Sequence, residues 1–238
     1  MTIPKVKTVL IDGDEICYRT ACACEQSLKW DEDTWTIHSS EQDMFQLLES
    51  EIKRAMAETN TKDYRIAVSS PTNFRKEIDP NYKAHRKSVR KPLGLTSCRQ
   101  YLIDKHMAVW MNDVEADDVI GIWADPEENM IWAIDKDFLT VPCQLLRPSG
   151  YLRINEKNAD SNLRLQTMMG DKADGFEGVK GFGPATALKW IQKHGDTWQS
   201  VLDAFKSKGL TEEDCTRNAR LARILRNYDE KYNWQPTY

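Results

Sequence analysis

The chain carries little of what export or soft-metal binding would need. In its first fifteen residues the only apolar stretch is Val9, Leu10 and Ile11, set between charges. That is too short for a secretory signal or a membrane span, so a cytoplasmic protein without a membrane partner is expected. The six cysteines (Cys17, Cys22, Cys24, Cys98, Cys143 and Cys215) form no C-x-x-C pair, and no histidine pair stands near them at zinc spacing. They read as reduced thiols. There is no low-complexity tract, and no repeat of the ~20 to 50 residues on which solenoids are built. No aromatic ladder is visible either, so the eight tryptophans are expected in core or half-buried positions.

Carboxylates are abundant, and they stand at expected strand ends and helix starts: Asp12 and Asp14, Glu115-Ala-Asp117-Asp118, Asp135 with Asp137, and Asp171 with Asp174. Two like charges ~4 Å apart repel by roughly 4 kcal/mol at an effective dielectric of 20. If these groups converge, they require counter-ions or captured protons. Oxygen-only donors of this kind suit Mg²⁺ or Mn²⁺ rather than Zn²⁺.

The formal net charge of −4 argues at first against a nucleic-acid partner. The average conceals a segregation. Between Arg75 and Lys91 seven basic residues face only Glu77 and Asp79, a local excess of five. Two bound divalent ions would bring the formal total to zero, so an acidic chain remains compatible with a polyanionic substrate.

At 238 residues and 40% hydrophobic, the chain can form one domain, or a larger and a smaller one. Lys5 to Ile11 reads as a buried strand ending at Asp12-Gly13-Asp14, and Tyr64 to Val68, Ala108 to Met111 and Met130 to Ile134 repeat that form. Met44, Leu47, Leu48, Ile52, Ala55 and Met56 keep helical spacing, with Ser39 and Gln42 as a capping box. A second helix is expected over Val114 to Ala124, with Asp113 as its N-cap. Alternating strands and helices predict a parallel sheet covered by helices, whose working crevice lies beyond the carboxyl ends of the strands. Arg75 to about Thr96 reads as an exposed basic excursion over that crevice, suited to clamping phosphate. Gly181 and Gly183 precede a helix from Pro184 that Gly195 would end, and its N-terminus offers N–H groups to phosphate. Thr211 to Tyr228 reads as one or two further short helices.

In order along the chain stand Asp12-Gly-Asp14, Asn81-Tyr82-Lys83-Ala-His-Arg86-Lys87, Glu115-Ala-Asp117-Asp118, Asp135-Lys-Asp137-Phe and Gly170-Asp171-Lys-Ala-Asp174-Gly-x-x-Gly178-Val-Lys-Gly181-Phe-Gly183. This order resembles the flap-endonuclease-like 5′ nucleases, and within them the 5′→3′ exonucleases of short-tailed phages. The resemblance implies an α/β fold of the PIN/5′-nuclease type: a mainly parallel sheet flanked by helices, a basic arch at about 75–96, and a C-terminal helical module. The domains expected are a metal-dependent nuclease domain over 1–158 and a helix-two-turns-helix DNA-binding module over 159–238.

The resemblance also implies 5′→3′ exodeoxyribonuclease activity by a two-metal mechanism, with flap-endonuclease and RNase H-type cutting in the family's range. Asp12, Glu115, Asp117 and Asp118 would serve one Mg²⁺ (or Mn²⁺), and Asp135, Asp137, Asp171 and Asp174 the second. Lys83 and Arg86 match the basic residues that approach the scissile phosphate. Tyr82, Lys87, Arg90 and Lys91 would contact DNA, as would Gly181, Gly183 and Thr186 at a hairpin that often holds K⁺. The expected partner is duplex DNA with a 5′ end or flap, or an RNA–DNA hybrid, met by a monomer in the host cytoplasm.

One position departs from the pattern: Ser70 stands where these phage enzymes usually place an Asp, which would weaken the first metal site. Two other readings compete. A haloacid-dehalogenase-type phosphatase would use Asp12 as nucleophile, Asp14 as acid and Gly-Asp171-x-x-Asp174 for magnesium. It expects Thr where Ile16 stands and gives no role to Glu115-Ala-Asp117-Asp118. A non-catalytic DNA-binding clamp gains only from Ser70.

Overall fold

The structure is a computed structural model and describes residues 3–238. Its contacts divide the chain into two compact units, each assembled from discontinuous segments. The first comprises Met1–Pro71, Arg90–Asp135 and Cys143–Arg153, and the second comprises Thr72–Val89, Lys136–Pro142 and Ile154–Tyr238.

The first unit is built on a five-stranded sheet in the order β4-β1-β5-β6-β7. Its strands are β1 (Thr8–Asp12), β4 (Asp63–Ala67), β5 (Asn129–Trp132), β6 (Cys143–Arg147) and β7 (Gly150–Ile154). β1 runs parallel to both β4 and β5, and β5 parallel to β6. The runs of β1, β5 and β6 are buried on both faces, as central parallel strands require, whereas the edge strand β4 buries only Ile66 and Ala67. The expected strand at Ala108 to Met111 is reduced to one parallel bridge, Ala67 to Val109. Helices α1 (Gly13–Cys24), α2 (Glu41–Thr59), α3 (Leu95–His106) and α4 (Ala116–Trp123) belong to this unit. Ile16, Leu48, Ile52 and Leu102 from them pack with Val9, Ile11 and Ile66 of the sheet.

Local chemistry moves two of the expected caps. Helix α2 starts from Ser40, whose Oγ accepts the Asp43 N–H, so Ser39 and Gln42 form no capping box. Glu115 caps α4 in a reciprocal box with Asp118, while Asp113 stands outside the helix at φ 62°. Between α1 and α2 the antiparallel ribbon β2 (Gln26–Lys29) and β3 (Trp35–His38) leaves Trp30 67% and Trp35 56% exposed. Trp110 is exposed as well, so the expected core or half-buried placement fails for these three tryptophans.

The second unit is helical, with α5 (Glu156–Met169), α6 (Pro184–His194), α7 (Trp198–Lys206) and α8 (Glu212–Ala222). Pro184 opens α6 and Gly195 closes it, the expected helix grammar. One core gathers Met168, Phe182, Ile191 and Phe205, and a second gathers Tyr82, Leu163, Phe176 and Leu221. The basic segment is therefore not a wholly exposed excursion. Arg75 is buried and donates to the carbonyls of Leu221 and Arg223, because a buried guanidinium must place its N–H groups on acceptors.

Candidate active site

In the first unit the parallel register sets the chemistry. Asp12 ends β1 level with Ala67, and Ala133 to Asp135 follow β5 at the same edge. The next helix begins at once, because Asp12 Oδ1 accepts the amides of Asp14 and Glu15 at 2.9 and 3.1 Å. Gly13 permits this turn: a Cβ there would stand 2.6 Å from the Ala67 carbonyl oxygen. Asp14 is thus a first-turn residue of a helix and not part of a simple loop. Its Oδ2 accepts the Ser69 N–H at 2.9 Å, and its Oδ1 lies 3.2 Å from Arg99 Nε.

Asp12 also shares a side-chain hydrogen bond with Asp117. Burial, then the charges of Asp14 and Glu15, push its carboxyl up to about 7. Such a group keeps its proton to far higher pH than an ordinary carboxyl, and a bound cation would take the proton's place. Glu115 and Asp118 also form the reciprocal cap of α4. The Glu115 N–H donates to Asp118 Oδ2 at 3.0 Å, and Asp118 is buried. Glu15 accepts the Ile134 N–H at 2.9 Å, and its own carboxyl is raised, first by burial and also by Asp135. Ser70, in the slot of the expected Asp, accepts the Asp113 N–H at 3.2 Å and so helps hold the turn before α4.

The second unit gathers Lys83, Arg86, Tyr82, Asp137, Asp171 and Asp174. Asp174 Oδ1 lies 3.0 Å from an Arg86 guanidinium nitrogen and 3.4 Å from Lys83 Nζ, and its Oδ2 accepts from the Tyr82 hydroxyl at 2.9 Å. Backbone geometry reinforces the group. Lys83 sits at φ 54°, its N–H donates to the Asp174 carbonyl at 2.8 Å, and Arg86 donates to the Ala173 carbonyl. Asp171 is buried, with one oxygen on the Ala173 amide at 2.7 Å and the other on Lys136 Nζ at 3.1 Å. Burial opposes its ionisation, yet Lys136 and the backbone amides outweigh burial and hold it below the usual carboxylate range. Asp137 accepts from the Gln166 amide at 3.0 Å.

Tyr82 corrects its expected role, since at 2% exposure its ring is packed in a core and offers DNA no face. Lys87 and Lys91 are exposed, but Arg90 is in a bidentate pair with Glu25, both contacts at 2.7 Å. That pair pulls the Glu25 carboxyl down to about 2. Gly181, Gly183 and Thr186 are exposed around the start of α6, and only Gly181 has positive φ, at 88°.

Sequence reasoning missed Lys136 and Arg99. Lys136 had a signal, a lysine between two aspartates; Arg99 had none, because its acidic partner Asp14 lies far away along the chain. Among the described residues no three Asp, Glu, His or Cys side chains close into a metal cage. The donor chemistry nevertheless fits hard cations: an oxygen-only acidic pair that otherwise retains a proton, and buried or half-buried carboxylates that draw ammonium and guanidinium groups.

Comparison with known proteins agrees with this architecture. The chain is 30% identical to the exonuclease of Escherichia phage T7, over 96% of this chain and 93% of that protein. It is 29% identical to the exodeoxyribonuclease of Enterobacteria phage T3, over 96% and 92%. The T5 D15 protein co-crystallized with metal ions has a similar fold, with a TM-score of 0.68 at 16% identity over 92% of this chain and 89% of that one. Residues 7–163 match the model of the 5′-3′ exonuclease N-terminal, resolvase-like domain. With the carboxylates at the carboxyl ends of parallel strands, and with that match across most of the chain, the protein belongs to the 5′-3′ exonuclease family of flap-endonuclease-like 5′ nucleases.

Proposed function

We propose that the protein is a divalent-metal-dependent 5′→3′ exodeoxyribonuclease that acts on duplex DNA from a 5′ end, and that it also accepts flaps and RNA–DNA hybrids. The observation that carries the reading is Asp12, a buried carboxyl raised to about 7 beside Asp117 at the strand ends of a family nuclease domain. One Mg²⁺ or Mn²⁺ is assigned to the group of Asp12 and Asp117, backed by Glu115 and Asp118. A second is assigned to Asp137, Asp171 and Asp174, with Asp135, two residues before Asp137, as a further candidate ligand. Bound there, the two ions would supply Lewis acidity that activates water and neutralises the charge of the transferred phosphate.

The chain's own residues do the rest. Lys83 and Arg86, fixed on Asp174 and Ala173, present positive charge for the phosphoryl oxygens, where a preorganised cation favours the more highly charged transition state. Exposed Lys87 and Lys91 attract the phosphate backbone without reading bases. The start of α6 adds backbone N–H groups and a positive dipole end for a duplex phosphate, with K⁺ at the same hairpin. The protein acts as a monomer in the cytoplasm of the host cell. Digestion of 5′-labelled duplex, flap and hybrid substrates with and without Mg²⁺ tests the whole reading. Metal-dependent release from the labelled end is expected, and intact substrate in every arm would refute it.

A further inference from the structure

Two of the carboxylates assigned to the second cation, Asp171 and Asp174, are already engaged by positive side chains, and the two ends of one of these pairs differ in burial. Asp171 has a side chain only 5% exposed, whereas its partner Lys136 is 64% exposed, with Nζ to Oδ2 at 3.1 Å. The other carboxylate oxygen is fixed by the Ala173 amide. A buried carboxylate needs a counter-charge, and removing one from such a pair is costly. A lysine on a flexible stem, most of it in solvent, can be exchanged for another cation at little cost. Lys136 follows Asp135 and precedes Asp137, so an ammonium that leaves Asp171 remains tethered among the other acidic groups.

We propose that Lys136 is the built-in counter-ion of the second metal site: its ammonium neutralises Asp171 until a divalent cation displaces it. Lys136 is then a positioning residue. It holds the Asp171 carboxylate in place, it lowers apparent metal affinity by competing for the same oxygen, and on metal loading it is released from that oxygen. The proposal rests on the assignment of Asp171 to the second cation, and it predicts an effect opposite to that of a lost ligand. Removing Lys136 should tighten metal binding.

The test is Mn²⁺ binding to the full-length protein, followed by electron paramagnetic resonance of the free ion, for wild type, Lys136→Met, Lys136→Arg and Asp171→Asn. Lys136→Met keeps length and removes charge, and it should strengthen, by roughly tenfold or more, the Mn²⁺ site that Asp171→Asn abolishes, the scale of one unit charge a few ångströms away in a partly solvated site. Lys136→Arg should stay near wild type. In EDTA, Lys136→Met should melt below wild type, because Asp171 has lost its counter-charge, and Mn²⁺ should restore more of its melting temperature than it adds to wild type. Unchanged or weaker Mn²⁺ binding by Lys136→Met, in a wild type that binds two ions, would overturn the counter-ion role alone. A wild type with a single Mn²⁺ site, or an Asp171→Asn variant that keeps both sites, would overturn the metal assignment as well.

Discussion

Asp12 Oδ1 accepts the Asp14 amide at 2.9 Å, and this cap fixes at the head of the sheet a carboxyl that burial and the charges of Asp14 and Glu15 raise, so that proton and metal become alternatives there. The unfolded chain releases the Asp12 proton near 3.8, and the folded chain only near 7. Between those values the folded state binds more protons, so the stability this group contributes is complete below 3.8 and lost as the pH rises through 7. In EDTA the slope should approach ~1.4 kcal/mol per pH unit. Asp12→Asn keeps an oxygen for the cap and should flatten that slope. Mg²⁺ should stabilise wild type most at high pH and release a proton on binding at neutral pH. Thermal melts across this range, with and without EDTA, check it; a wild-type slope equal to that of Asp12→Asn would contradict the raised carboxyl.

Substituting a proposed ligand should separate chemistry from binding. Asp135→Asn or Asp174→Asn should reduce cleavage on the order of a hundredfold or more, since developing charge loses an electrostatic partner. Duplex affinity should hold or rise, because a negative charge facing phosphate has gone. Single-turnover cleavage and filter binding of 5′-labelled duplex measure the two effects. Wild-type rates in either variant would count against the metal assignment.

Within the basic segment, pairing predicts different effects. Lys83→Ala should lower turnover more than affinity, because Lys83 is held in the Asp174 group. Lys87→Ala and Lys91→Ala should mainly reduce the salt dependence of duplex binding, each by about one unit of slope. Arg90→Ala should change that slope less. Its charge is already spent on Glu25, whose carboxylate also accepts the Leu93 amide, so losing Arg90 should loosen this local anchor instead. Binding isotherms across salt concentrations distinguish the three classes.

The glycines at the start of α6 differ in backbone geometry. Gly181→Ala forces a side chain into a left-handed conformation at φ 88° and should destabilise the protein by roughly 1–2 kcal/mol. Gly183 has φ −81° and open space where a side chain would project, so Gly183→Val should fold normally yet weaken duplex binding by blocking close backbone approach to phosphate. Melting curves beside duplex and single-strand affinities check both. Equal losses on the two substrates by Gly183→Val would point to misfolding.

What the sequence alone determined is local or strongly patterned. The apolar runs marked β1, β4 and β5, and the acidic residues that end β1 and follow β5, are legible from spacing within a few positions. Pro184 and Gly195 bounded α6 for the same reason, since a proline without an N–H and a glycine with free φ act on their immediate neighbours. The order of the acidic motifs was enough to indicate the family.

Tertiary structure decided the rest, because burial and pairing depend on residues far apart in sequence. Tyr82 and Arg75 read as parts of a polar excursion, and only packing against α8 puts them inside. Asp14, in the first turn of α1, has its carboxylate engaged by Ser69 and Arg99, partners far along the chain that no local pattern announces. Which carboxylates keep a proton and which take a lysine was not legible either. Asp12 is raised by the desolvation of its strand end, whereas Asp171 is held ionised by a lysine 35 residues earlier in the chain, and the fold alone sets both environments.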